Sequence, residues 1–172
     1  YIADAHVPLH TSHNHNGQYT NQHGIHGLWE SSIPELLAEK EFDFFIGKAE
    51  YLQNADSFIW ARVLESAAAS DSVLTFEKRL SERFNPSMRY NFEERNGKTV
   101  RQFSAAYTRA YHNSLNGMVE RRMRLAVYSI ACFWYTAWAD AGQPSLKELT
   151  SQKHTTSLAS TDSLQKAWLQ DT

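Results

Sequence analysis

The chain has 172 residues, enough for one domain with its own core, and it is 42% apolar and 13% aromatic. Seventeen Lys and Arg stand against nineteen Asp and Glu, a net charge of −2, so the basic excess usual for a duplex-binding surface is missing. The single cysteine, Cys132, rules out an internal disulfide framework and a CxxC zinc site.

In chain order, "YIADAH" reads as the last turn of a helix already under way. Tyr1 is then expected to be a processing or proteolysis boundary, with further chain before it and no signal peptide of its own. Residues 6 to 24 hold Pro8, Gly17, Gly24 and many Asn, Ser, Thr and His. They cannot sustain an apolar helical stripe and read as a long loop, a feature usually tied to function or disorder. "GIHGLWESS" reads as a short helix. "SIPE" follows as a capping box with Ser32 as N-cap, Pro34 in the first turn and Glu35 at the third position. That helix runs to about Lys40.

Residues 54 to 84 carry Phe58, Ile59, Val63, Leu64, Val73, Leu74, Phe76 and Leu80 at helical spacing, with Asn54 or Asp56 as cap. "RFNPSMRYNFEERNGKT" reads as a connection. One long helix is predicted from about Ser104 to Asp140, ended by "AGQP" with Gly142 just past its last turn. Residues 147 to 172 read as a polar tail, with one weak helix at "SLQKAWLQ" at most. No strand-like alternation is evident, so the expected class is all-α. No run of about 18 uncharged apolar residues marks a transmembrane segment; the best candidate, Leu125 to Ala139, is short and ends at Asp140.

Chemistry concentrates near the start. Six of the eight histidines lie within the first 26 residues, bracketed by Asp4 and Glu30. Glu30 follows His26 by four positions, so on a helix both share one face. His10 follows Asp4 by six, across a turn containing Pro8. Zinc accepts imidazole nitrogen and carboxylate oxygen, usually four ligands in all. Two histidines and one carboxylate would leave a position for water, the catalytic pattern. On spacing alone, a metal site and a histidine-rich surface loop both remain open.

"YIADAHVPLH", "GIHGLWE" and "FWYTAWADAGQP" resemble the zinc-dependent phospholipase C and single-strand-specific nuclease superfamily, most closely its bacterial phospholipase-C-like branch. The resemblance covers residues 1 to about 146 and rests on Asp–x5–His, a loop, then His–x3–Asp/Glu. It implies an all-α fold, three zinc ions in a cleft, and hydrolysis of phosphodiester bonds by metal-activated water. Asp4 matches the aspartate that bridges two of the zincs. His10, His26 and Glu30 match the protein ligands of the remaining one. Asp4 and Glu30 are thus expected as catalytic carboxylates as well as ligands. Glu at position 30 is the phospholipase branch's choice, where the nuclease branch mostly has Asp.

The family's other ligands precede the matching segment and have no counterpart here. The resemblance therefore covers the C-terminal part of such an enzyme, and at most one zinc is fully liganded by this chain. The expected partners are a phosphodiester substrate, phospholipid or single-stranded nucleic acid, and a missing N-terminal segment or partner chain. The alternatives are a single-strand nuclease, or an inactive zinc-binding fragment. A secreted or periplasmic location is implied. Lacking cover from a preceding segment, the helix at 104 to 140 is expected to leave an apolar face exposed or filled by a partner.

The remaining candidates read more plainly. His6 is expected to make a supporting hydrogen bond and not to ligate. His13, His15 and His23 read as polar loop residues. Gly24 and Gly27 allow either a close backbone approach to the site or ordinary flexibility at the start of a helix. Trp29 and the "FWYTAW" run read as core, with Tyr135 and Trp138 the members able to reach a cleft. "ERRMR" reads as a solvated face with Glu120 paired to Arg124. His112 and His154 carry no assigned role.

Overall fold

The computed structural model describes residues 1–95 and 97–147; the tail expected at 147 to 172 lies, but for Lys147, outside them. Two 3-10 turns, Asp4–His6 and Pro8–Thr11, open the chain. After a loop come α1 (Ile25–Gly27), a π-helical turn (Leu28–Ser32) and α2 (Ile33–Glu41), which run on without a break. Then follow α3 (Ala55–Arg83), strands β1 (Tyr90–Arg95) and β2 (Lys98–Phe103), α4 (Ala105–Ser114) and α5 (Met118–Asp140). None of the described helices is long and apolar enough to cross a membrane.

The architecture is largely helical, but not wholly so. β1 and β2 pair antiparallel from Tyr90↔Phe103 to Arg95↔Lys98, in the stretch expected to be a mere connection. Gly97 supplies the positive φ of +71° that a tight hairpin turn requires. Arg89 anchors the base of this hairpin, its guanidinium 5.0 Å from the Tyr107 ring centre and 5.7 Å from that of Phe103.

The predicted helix at 104 to 140 is two helices. Asn116 (φ +49°) and Gly117 (φ +72°) both adopt left-handed backbone, which stops α4 and starts α5 in a new direction. α3 matches its expected span closely. Asn54 caps it, its side-chain oxygen accepting from the Ser57 N–H at 2.8 Å, an interaction worth about 1 kcal/mol. Ser32 is not the expected cap. Its backbone is helical and it makes no side-chain cap hydrogen bond, because the helix has already begun at Ile25.

The core forms where the first turns, α1, α2, α3, α4 and the start of α5 meet. Leu9, Ile25, Leu28, Ile33, Leu37, Val73, Tyr107, Tyr111 and Val119 are all buried in it. Residues 42 to 54 form an extended strap along α5. Asp43 donates its N–H to Glu120 (3.0 Å) and pairs with Arg124 (2.9 Å). This replaces the expected Glu120–Arg124 pair, since both side chains turn to the strap. Further along, Glu50 N–H donates to Cys132 Sγ (3.3 Å) and Leu52 N–H to Thr136 Oγ1 (2.9 Å). Trp60 and Leu64 on α3, and Val127, Trp134 and Tyr135 on α5, are exposed; Trp134 reaches 73%.

Candidate metal centre

The site is built from two short segments that the core pulls together. In the first, Val7 and Leu9 are buried and Pro8 starts the 3-10 turn that packs on α3. His10 is left on the outer side of that turn. In the second, Ile25, Leu28 and Trp29 are buried, which turns His26 and Glu30 outward. The helix widens into a π turn at Leu28–Ser32, and π turns recur at functional sites. His26 and Glu30 still share a face across it.

Three ligand atoms converge as a result. His26 Nε2 stands 3.0 Å from His10 Nε2 and 2.5 Å from Glu30 Oε2, and His10 Nε2 stands 3.4 Å from the same carboxylate oxygen. His10, His26 and Glu30 form a group whose ligand atoms all lie within 4.8 Å of one another. Around a tetrahedral zinc, ligand atoms at about 2.0–2.2 Å from the ion sit about 3.3–3.6 Å apart. An ion therefore requires the cluster to open by only about 1 Å or less. The donor set is chemically apt: two imidazoles and a carboxylate with their ligand atoms crowded together, a crowding that protons or a cation relieve.

Asp4 stands apart from this group. It is 57% exposed, and its Oδ1 lies 3.8 Å from His10 Nδ1, the ring nitrogen facing away from the cluster. That is within ion-pair reach but too long for a hydrogen bond. A proton on Nδ1 toward Asp4 leaves the Nε2 lone pair free for a ligand role.

His6 takes no part in the cluster. Both its nitrogens are occupied: Nδ1 lies 2.8 Å from the Ile2 carbonyl and Nε2 2.9 Å from Ser129 Oγ. A carbonyl only accepts, so Nδ1 carries the proton and Nε2 accepts from the Ser129 hydroxyl. Burial lowers the pKa of His6, against a smaller opposing effect of the Ile2 bond. His13, His15 and His23 are exposed. The His15 ring approaches that of His26 edge-on at 6.0 Å and stays outside the ligand group.

The glycines separate cleanly. Gly24 has φ +89° at the start of α1, and a Cβ there would press on the Phe103 ring at 3.3 Å. Gly27 has a helical φ of −62° and no neighbour that a Cβ would meet. Only the first of the two needs to be glycine. Within the loop, Gly17 has φ +72°, and its Cβ would collide with the Gln22 backbone.

Four supporting residues were not evident in the sequence. Ser66 donates to the Ala5 carbonyl (2.6 Å), and Arg122 donates to the His6 carbonyl (2.9 Å) and to Ser66. They fix residues 5 and 6 on α3 and α5. Gln22 reaches α3, donating to the Leu74 carbonyl (2.7 Å) and to Glu77 Oε2 (2.6 Å). Glu77 is only 1% exposed. A carboxylate in line with Val73 and Leu80 on a core-facing stripe was the available signal.

Beside the cluster lies a cleft of about 280 Å³. Glu30 forms part of its wall, and Val7, Trp29, Met123, Ala126 and Ile130 make the rest largely apolar. Tyr135 and Trp138 pack against one another with their rings tilted and centres 5.9 Å apart, and they are not among the residues lining it. No protein-family model, curated protein or solved structure matches the chain.

Proposed function

We propose that this chain binds one zinc ion through His10 Nε2, His26 Nε2 and Glu30 Oε2, and that it forms part of a zinc-dependent phosphodiester hydrolase of the phospholipase C type. The observation carrying the reading is the convergence of those three atoms from segments sixteen residues apart. When bound, zinc supplies an activated water at near-neutral pH and neutralises charge on phosphoryl oxygens.

The chain's own residues supply the holding and orienting. Asp4, 3.8 Å from His10 Nδ1, lies on the side of that ring opposite the cluster. Glu30 holds one side of the centre and closes one wall of the apolar cleft, so a substrate whose phosphodiester approaches the cluster can lay an apolar group against Trp29, Met123 and Ile130. That cleft, with the absence of a basic excess, ranks a phospholipid above single-stranded nucleic acid. Further ligands, which the resemblance puts outside these residues, would complete a multi-metal centre.

Metal analysis together with paired assays tests the reading. One zinc per chain is expected, with chelator-sensitive turnover of a choline phospholipid once the complete enzyme is assembled. Cleavage of single-stranded DNA without lipid turnover would reverse the substrate ranking. Zinc binding with no turnover of either would leave a zinc-binding module. No zinc binding at all would end the proposal.

A further inference from the structure

The loop that delivers His26 is fastened to α3 through a buried, charged group. Gln22 precedes His26 by four residues and is itself buried. Its side-chain amide spends both hydrogens on α3, one on the Leu74 carbonyl and one on Glu77 Oε2. The other oxygen of Glu77 accepts from Tyr107 on α4 (2.5 Å) and from Arg89 at the base of the hairpin (2.6 Å). One carboxylate thus joins α3, α4, the hairpin and the histidine loop. All of its partners are donors, so an amide in its place would turn an N–H₂ against another donor.

Two further contacts act on the same stretch. Asn16 Oδ1 accepts the Gly24 N–H at 3.1 Å, an N–H that no helical carbonyl can reach at the start of α1. Phe103, at the end of β2, lies against Gly24. The direction in which α1 sets out, and hence the position of the His26 ring relative to His10, follows from Gln22, Asn16 and the hairpin end together.

We infer that Gln22, held by Glu77, is a positioning residue of the metal centre, placing His26 opposite His10 without touching the ion. The inference rests on the zinc-binding reading above. Groups that orient ligands from outside the coordination sphere typically change metal affinity by about 10–100-fold when removed.

The test uses the full 172-residue chain, with zinc titrated against a competing chelator and cobalt(II) as a spectroscopic probe. Gln22→Met keeps the side chain's length and bulk but removes both donors. It is expected to weaken zinc binding about 10–100-fold and to alter the cobalt absorption bands, which report ligand geometry, while far-UV circular dichroism stays unchanged. Asn16→Ala, at a less buried site on the same stretch, should shift affinity in the same direction, and it serves as the readout if Gln22→Met does not fold. Wild-type affinity and wild-type cobalt bands in the folded variants would overturn the positioning role while leaving the metal site standing. A wild-type chain that binds neither metal would overturn both. His26→Ala, which should bind neither, marks the floor.

Discussion

His10 and His26 meet with their Nε2 atoms 3.0 Å apart, and the carboxylate of Glu30 reaches both rings. Two imidazole nitrogens at that distance cannot both present lone pairs unless a proton or a cation lies between them. If zinc fills that role, His26→Ala should lower zinc affinity by more than about 100-fold, beyond the usual effect of a group outside the ligand set. His15→Ala should leave it unchanged, since that ring only borders His26. Zinc at about 100 times its Kd should raise unfolding free energy by about 2.7 kcal/mol in wild type and His15→Ala, and not in His26→Ala. Equal behaviour of the two variants in a denaturant titration would refute the ligand assignment.

The contrast between two glycines provides a second measurement. Gly17→Ala forces a left-handed residue to carry a Cβ, costing roughly 1–2 kcal/mol, and also drives that Cβ into the Gln22 backbone. It should destabilise the chain and weaken zinc binding together. Gly27→Ala places a methyl in open space on a helical backbone and should stabilise by about 0.4–1 kcal/mol. Chemical denaturation of both variants checks the pair, and a stabilising Gly17→Ala would show that the loop does not adopt this turn.

His6 makes stability depend on pH in a defined direction. Burial holds its folded pKa below the ordinary 6.5, so the folded state keeps the ring neutral where the unfolded state would protonate it. Its contribution is fully present above about 6.5 and is lost as pH falls below that value, because the unfolded chain then binds more protons. His112, whose pKa burial also lowers, adds the same sign. Unfolding midpoints should therefore fall between pH 7.5 and 5.5, and His6→Gln should flatten that slope. A wild type that gains stability on acidification would contradict the neutral, doubly bonded His6.

What the sequence disclosed, and what it hid, divides along physical lines. The His26–Glu30 spacing was readable because four residues return a helix to nearly the same face, whether the turn is α or slightly widened. The α3 span was readable from its apolar period and its Asn54 cap. Both main errors sit at Asn-Gly pairs. At Asn96-Gly97 the flanking "YNFEER" and "KTVRQF" form a hairpin, for which Asn-Gly is the strongest short-range signal. At Asn116-Gly117 two left-handed residues split an otherwise continuous helical pattern. Apolar residues continue on both sides of the pair, Tyr107, Tyr111 and Leu115 before it and Val119 after it, all buried, so the pattern does not mark the break. Gln22 and Glu77 escaped for another reason. Their partnership spans 55 residues, and no local pattern encodes it.

The strap on α5 offers a prediction independent of any metal. Residues 42 to 54 have no strand partner, and three of their backbone donors, those of Asp43, Glu50 and Leu52, are satisfied by α5 side chains. Leu52 and Thr136 are both buried, and the Leu52 N–H donates to Thr136 Oγ1 at 2.9 Å. Thr136→Val keeps the shape but removes the acceptor, leaving a buried N–H unsatisfied at a cost of about 1–3 kcal/mol. Thr136→Ser keeps the hydroxyl and loses one methyl, a loss of about 0.8 kcal/mol if fully buried. The valine variant should therefore be the less stable of the two, despite being the more apolar. Urea titration gives the ranking, and amide hydrogen exchange at Leu52 should accelerate in Thr136→Val while staying slow in Thr136→Ser. If valine proved equal to or better than serine, with Leu52 still protected, the strap would be held by apolar contact and not by this bond.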